Sequence, residues 1–294
     1  MKSMLKRTKS GRLLEVDYYP AWDCGRQIPS RAPKRKRSTE EQLRYNHKQT
    51  IKKIIRLVNA NFDKTDIIMH PTYIQEYAPE SEEQARKDIV NYIRRVKTWR
   101  ASELKRMRLA PDTEKNREKI RKLEQPLKYI YVIEKVTYKS GKKKGLTNYH
   151  FHLFITGSGA GDRDVYESLW KDGIRVNADR FQPDKFGPEA AAVYIAKDPQ
   201  GTRRFACSKN LKKPEVRPPT NARLSRAGLE RVAKERVDDA GYWERKHRGY
   251  RFLKCYSRYN PYNGCWYVSV VMYKTDGDPP AWNMPDWIEE GEFT

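Results

Sequence analysis

The sequence predicts a mixed α+β fold, and three observations carry that prediction. Two segments open on a Ser-x-x-Glu/Gln capping box and continue with apolar residues at helical spacing. Two β-rich runs, 129–136 and 148–155, flank a Lys- and Gly-rich stretch at 139–145, the signature of a hairpin with a basic tip. Shorter helical and extended patterns then alternate to the end of the chain, with no internal repeat.

In chain order, residues 1–37 are rich in Lys, Arg, Gly and Pro and end on Arg31-Ala-Pro-Lys-Arg-Lys-Arg37. They read as a flexible basic arm that touches phosphates, with a localisation signal as the competing reading. Ser38-Thr-Glu-Glu41 opens a helix over 39–60, whose stripe is Leu43, His47, Ile51, Ile54 and Val58. Residues 66–73 form a short buried strand broken by Pro71. Ser81-Glu-Glu-Gln84 opens a long helix with Ala85, Ile89, Tyr92, Val96 and Trp99 on one side, and a further helix over 112–124 stops at Pro126. After the hairpin, 162–171 is helical and 174–181 extended. Gly187-Pro188 opens a helix over 189–197, ended before Pro199. A basic stretch, a proline cluster, a helix near 222–236 and Tyr-rich strands around 249–257 and 265–273 follow, then a loose acidic tail. The expected division is a basic arm (1–37), a core with long helices (38–215) and a helix-plus-strand extension with its tail (216–294).

Sixty-one Lys and Arg against 38 Asp and Glu give a formal charge of +23 over 294 residues. Such a field attracts phosphate polymers through counterion release, so nucleic acid is the expected partner. Cys24, Cys207, Cys255 and Cys265 form no CxxC pair and read as free or buried thiols, against a zinc site or a disulfide framework. No apolar run is long enough to span a membrane, and the basic N-terminus lacks the apolar core of a signal peptide, so a cytoplasmic address without membrane partners is expected.

The chemistry concentrates in two places. On a strand, His150 and His152 project from one face while Tyr149, Phe151 and Leu153 project from the other, which makes half a metal site on a rigid support. If the hairpin centres near 142–143, Glu134 stands beside His150 or His152 on that face. Two imidazoles and a carboxylate with open positions suit Mn²⁺ or Mg²⁺ that must also hold a phosphate oxygen. The plainer reading of Glu134 is a surface charge beside Lys135. On the helix over 189–197, Tyr194 and Lys197 are three apart and share a side, so a phenol nucleophile and a cation stand together. Taken alone, a Tyr on an Ala-rich helix is ordinary packing. Lys142, Lys143, Lys144, Arg203 and Arg204 are candidate DNA-backbone contacts, and the C-terminal tyrosines are candidate base-stacking surfaces. His70 and His47 are possible further ligands, and His247 reads as surface. No P-loop pattern is present, so no nucleotide cofactor is expected.

In order, these features are a hydrophobic strand at 66–73, Tyr149-His-Phe-His-Leu-Phe154 and Tyr194-Ile-Ala-Lys197. Together they resemble the three motifs of HUH endonucleases, specifically the single-tyrosine rolling-circle replication initiators of phages, plasmids and mobile elements. The first strand departs from the Thr-rich pattern of many members. The resemblance covers about residues 40–215. It implies a central antiparallel sheet of about five strands flanked by helices, an RRM-like palm with the metal on its middle strands. It also implies that Tyr194 attacks a phosphorus atom in single-stranded DNA at an origin nick site, leaving a 5′-phosphotyrosyl link and a 3′-hydroxyl primer. The implied setting is a bacterial host cell, with host helicase and DNA polymerase as partners. The alternatives are a single-tyrosine transposase, a mobilisation relaxase, or a non-catalytic RNA- or DNA-binding module.

Overall fold

The computed structural model describes residues 2–21, 39–141, 144–171, 176–182 and 205–274. In chain order these form β1 (Lys2–Ser10), β2 (Leu13–Ala21), α1 (Glu40–Asn61), β3 (Ile67–Met69), α2 (Glu82–Arg108), α3 (Glu114–Glu124), β4 (Tyr129–Thr137) and β5 (Thr147–Ile155). Then come α4 (Asp162–Ser168), β6 (Ala178–Arg180), β7 (Ala206–Cys207), β8 (Glu215–Val216), β9 (Thr220–Asn221), α5 (Arg226–Glu235), α6 (Ala240–Lys246), β10 (Arg251–Asn260) and β11 (Cys265–Tyr273). The fold is mixed α+β with antiparallel sheets. Among the described residues no helix is long and apolar enough to cross a membrane.

The chain divides into two compact units. Among the described residues, the first joins those up to 60 to 213–274, and the second holds those from 61 to 212. In the second unit five strands run in the order β6-β3-β5-β4-β7, so β5 is the middle strand. Its register with β4 sets Glu134 opposite His150 and Thr137 opposite Thr147, which centres the hairpin on residue 142 as the spacing predicts. One face of this sheet carries Ile67, Met69, Tyr131, Ile133, Phe151, Leu153 and Ile155 into a core shared with Ile89, Tyr92 and Val96 of α2. Alternation along β5 therefore sends His150 and His152 to the opposite face.

The capping box at Ser81 forms: the Ser81 hydroxyl accepts from Gln84 N–H, acidic residues occupy the first turn of α2 and basic residues its last. At α1 the accepting hydroxyl is Thr39, which takes the Gln42 N–H at 3.2 Å; Ser38 lies outside the described residues. Midway along α2 a charged residue interrupts the apolar side. Arg100, 5% exposed, donates to the carbonyls of Lys122 (2.7 Å), Gln125 (3.1 Å) and Gly157 (3.1 Å) and to Tyr166 Oη (3.1 Å). It thereby satisfies orphan carbonyls at the C-terminus of α3.

Several expectations are corrected. The first 21 residues are no loose arm over their described part: β1 and β2 pair along their whole length through the two-residue Gly11-Arg12 turn. They form part of a second sheet, ordered β10-β11-β2-β1-β8 with β9 also on β1. The N-terminal segment and the C-terminal extension thus belong to one unit, which accounts for the burial of Leu13, Val16 and Tyr18. The helix expected over 222–236 is shortened to α5, because Asn221 pairs with Met4 of β1 and Ser225 caps the helix. Helix α6, capped by Asp239, was not foreseen. The strand expected over 174–181 spans only β6, with 172–175 outside the described residues. The helix over 189–197 and the acidic tail also lie outside them.

Candidate functional site

The middle strand β5 and its two neighbours build one polar cluster. Met69 of β3 pairs with Leu153, and the chain runs on so that Thr72 meets His150 in an isolated bridge. His70 then stands over His152 and Thr72 over His150. From the other side β4 contributes Glu134, directly opposite His150. The same face is apolar further along, where Phe154 meets Phe62 and Phe181. The histidines therefore sit at the polar end of an otherwise greasy surface.

The hydrogen bonds define protonation. Glu134 Oε2 lies 2.8 Å from His152 Nε2, and His152 Nδ1 lies 3.0 Å from His70 Nδ1. An ionised carboxylate only accepts, so Nε2 of His152 donates to Glu134, and a single hydrogen bond joins the Nδ1 atoms of His152 and His70. Burial, followed by repulsion from the His152 imidazole, pushes His70 down to about 4. His150 is lowered too, mainly by burial, with Glu134 opposing. Both rings are neutral near pH 7.

His150 Nδ1 lies 3.2 Å from Thr72 Oγ1, whose hydroxyl is within 3.4 Å of the His70 carbonyl oxygen. With that hydroxyl aimed at the carbonyl, His150 donates from Nδ1 and its Nε2 holds a bare lone pair. This Nε2 is buried and has no hydrogen-bond partner among the described residues. A neutral imidazole whose second nitrogen is fixed by a hydrogen bond is the form that ligates metals. The donor chemistry of His150, His152 and Glu134 therefore fits a divalent cation. In the present geometry Glu134, His152 and His70 instead form a hydrogen-bonded chain, and among the described residues no three His, Cys, Asp or Glu side chains are arranged to hold a metal ion.

Of the residues expected from the sequence, Glu134, His150 and His152 converge. His70, only a secondary expectation, joins them, and Thr72 was missed altogether. The signal for Thr72 is its position two residues after His70 in the extended stretch that follows β3, which places both side chains on one face. Lys144 sits at the exposed hairpin tip. Tyr194, Lys197, Arg203, Arg204, Lys142 and Lys143 lie outside the described residues. His247 is not at the surface: it is 6% exposed, shares a 3.1 Å hydrogen bond with Tyr18 Oη and stacks on Trp243. Among the described residues, Cys207, Cys255 and Cys265 form no disulfide with one another. No family model, curated protein or solved structure matches the chain.

Proposed function

We propose that this chain is a nicking and joining endonuclease of the HUH type, acting on single-stranded DNA as a single-tyrosine rolling-circle replication initiator. The observation that carries the reading is the buried, unpartnered Nε2 of His150 beside the His152–Glu134 pair, on the middle strand of an antiparallel sheet. In this reading His150, His152 and Glu134 hold a Mn²⁺ or Mg²⁺ ion, which supplies charge neutralisation at the scissile phosphate. Holding the ion requires His152 to give up its Nε2 proton. The tautomer with Nδ1–H donating to His70 then keeps the ring oriented, so His70 acts as a positioning residue.

The covalent step belongs to Tyr194. Its phenolate oxygen bonds to phosphorus as the P–O3′ bond breaks, and the leaving oxygen takes up a proton to become a free 3′-hydroxyl. Lys197 offsets the negative charge that passes through the phenolate and phosphate. Because one phosphodiester bond replaces another, a later 3′-hydroxyl can reverse the step and join the strand without a nucleotide cofactor.

A second reading draws on the same hydrogen bonds. Glu134, His152 and His70 satisfy one another without an ion, as a structural polar network would, and the basic chain would then bind nucleic acid without cutting it. One experiment separates the two. A pool of single-stranded oligonucleotides with a randomised core and a 3′ label is incubated with the protein and Mn²⁺, and denaturant-resistant adducts are collected. The nickase reading expects an adduct with the wild type, lost with chelator, in Tyr194→Phe and in the His150→Ala/His152→Ala pair. An adduct that survives Tyr194→Phe removes the nucleophile, and its absence from the wild type in both Mn²⁺ and Mg²⁺ leaves the binding module.

A further inference from the structure

The first unit holds a concavity of about 300 Å³ whose charged lining is Arg7, Lys9, Arg217, Lys246 and Arg248 against one acid, Glu215. Its cations come from three separate stretches of chain. Arg7 and Lys9 stand on β1; Arg217 follows β8 and is tied to β1 by its N–H bonding to the Arg7 carbonyl at 3.0 Å. Lys246 ends α6, and Arg248 lies two residues beyond. A favourable position at the helix C-terminus explains Lys246. It does not explain the strand-borne cations.

Their partners are few. Arg217 is 3.7 Å from Glu215, and Lys246 lies over the rings of Tyr18 and Tyr242 at 4.9 and 5.3 Å. Among the described residues Arg7, Lys9 and Arg248 have no ion-pair partner. Like charges gathered by tertiary folding repel one another, and an anion is what relieves them. The buried ring of His247, on the pocket wall, registers the same field: after burial, the charges of Arg7 and Lys246 are the next causes that push it down to about 4. Half-buried Tyr250 adds an aromatic edge to the rim.

We propose that this pocket binds the phosphate backbone of a nucleic-acid strand, giving the first unit a binding surface of its own. The inference stands apart from the nickase reading, because it uses neither the histidine face nor Tyr194. Phosphate is the recognised chemistry. A polymer rather than a small phosphate is favoured because cations from a strand, a loop and a helix end are spread along the concavity, on a chain of net charge +23.

The test measures binding of a fluorescent 30-nucleotide single strand in chelator, where no cutting intervenes, across a series of NaCl concentrations. The variant is Arg7→Gln/Lys9→Gln/Arg248→Gln, and the control neutralises three exposed cations elsewhere, Arg44→Gln/Arg94→Gln/Lys105→Gln. The pocket variant is expected to bind about tenfold more weakly or worse, and its slope of log affinity against log salt to fall by about 2, at roughly 0.7 per lost phosphate contact. The control should change affinity by about twofold at most. Equal losses in the two variants overturn the proposal. So does a pocket that takes up pyrophosphate while the triple variant binds the oligonucleotide as the wild type does, since that is a small-anion site. Should the triple variant not fold, Arg248→Glu alone replaces it, with the same two outcomes at a smaller scale. Binding is read in chelator, where no cutting takes place, so a failed nicking assay leaves this result intact.

Discussion

His247 illustrates how far one residue's surroundings override its type. A histidine in a Lys-His-Arg run looks solvated, yet α6 ends beside β1 and β2, and the ring is enclosed between Tyr18 and Trp243. Burial first, then the charges of Arg7 and Lys246, lower it from 6.5 to about 4. The sign follows from linkage. The unfolded chain takes up the proton near pH 6.5 and the folded chain does not until about pH 4, so stability is complete above pH 6.5 and declines as pH falls across that interval. The decline attributable to this ring is about 3 kcal/mol. His247→Gln keeps a hydrogen-bonding side chain beside Tyr18 and cannot titrate. Urea unfolding in steps from pH 7.5 to 4.5 should find the wild type losing stability more steeply than this variant. Parallel pH profiles would mean that the imidazole is not held neutral by the fold.

At the scale of elements, what could be read from the sequence were features with local causes. Ser81 is recognised from three neighbours, and the hairpin centre from the lengths of two β-rich runs; both are met. What escaped was set by distant partners. In the β2 sequence Leu14, Val16 and Tyr18 alternate with Glu15 and Asp17, a strand pattern, but the Lys and Arg around it suggested an arm. Beyond its hairpin partner β1, that strand gets its second neighbour from β11, more than two hundred residues on. Gly11 makes the consequence testable. Its φ is +59°, and a Cβ there would lie 2.0 Å from the Asn59 carbonyl oxygen, a backbone atom. Gly11→Ala therefore meets both backbone strain and a clash, and should destabilise the protein by about 2 kcal/mol or more. Deleting residues 1–21 should go further and remove the middle of the sheet of the first unit. Hydrogen exchange at β11 reads both changes; wild-type protection of β11 in the deletion would return this segment to the status of a dispensable arm.

For the whole molecule, the open question is what the polar end of the histidine face is for. Its parts come from three strands: His70 follows β3, Glu134 lies on β4, and His150 and His152 lie on β5, the strand between them. The HxH spacing made the pair on β5 readable, and the hairpin length brought in Glu134. His70 and Thr72 were less visible because β3 reaches β5 from more than seventy residues away. Among the described residues one buried nitrogen of the cluster, His150 Nε2, has no hydrogen-bond partner, and an ion that occupies the site must exchange the Glu134–His152 hydrogen bond for coordination. Binding selective for the native state would raise stability by about 2.7 kcal/mol at an ion concentration one hundred times its dissociation constant. Thermal unfolding with and without MnCl₂, at matched ionic strength, should therefore give a higher melting temperature for the wild type and none of that gain for His150→Ala/His152→Ala. His70→Ala should keep part of the gain, because it removes the orienting hydrogen bond rather than a ligand. Should the wild type and the double variant respond alike to Mn²⁺, the cluster is a structural network, and any cutting of DNA by this chain would have to use another site.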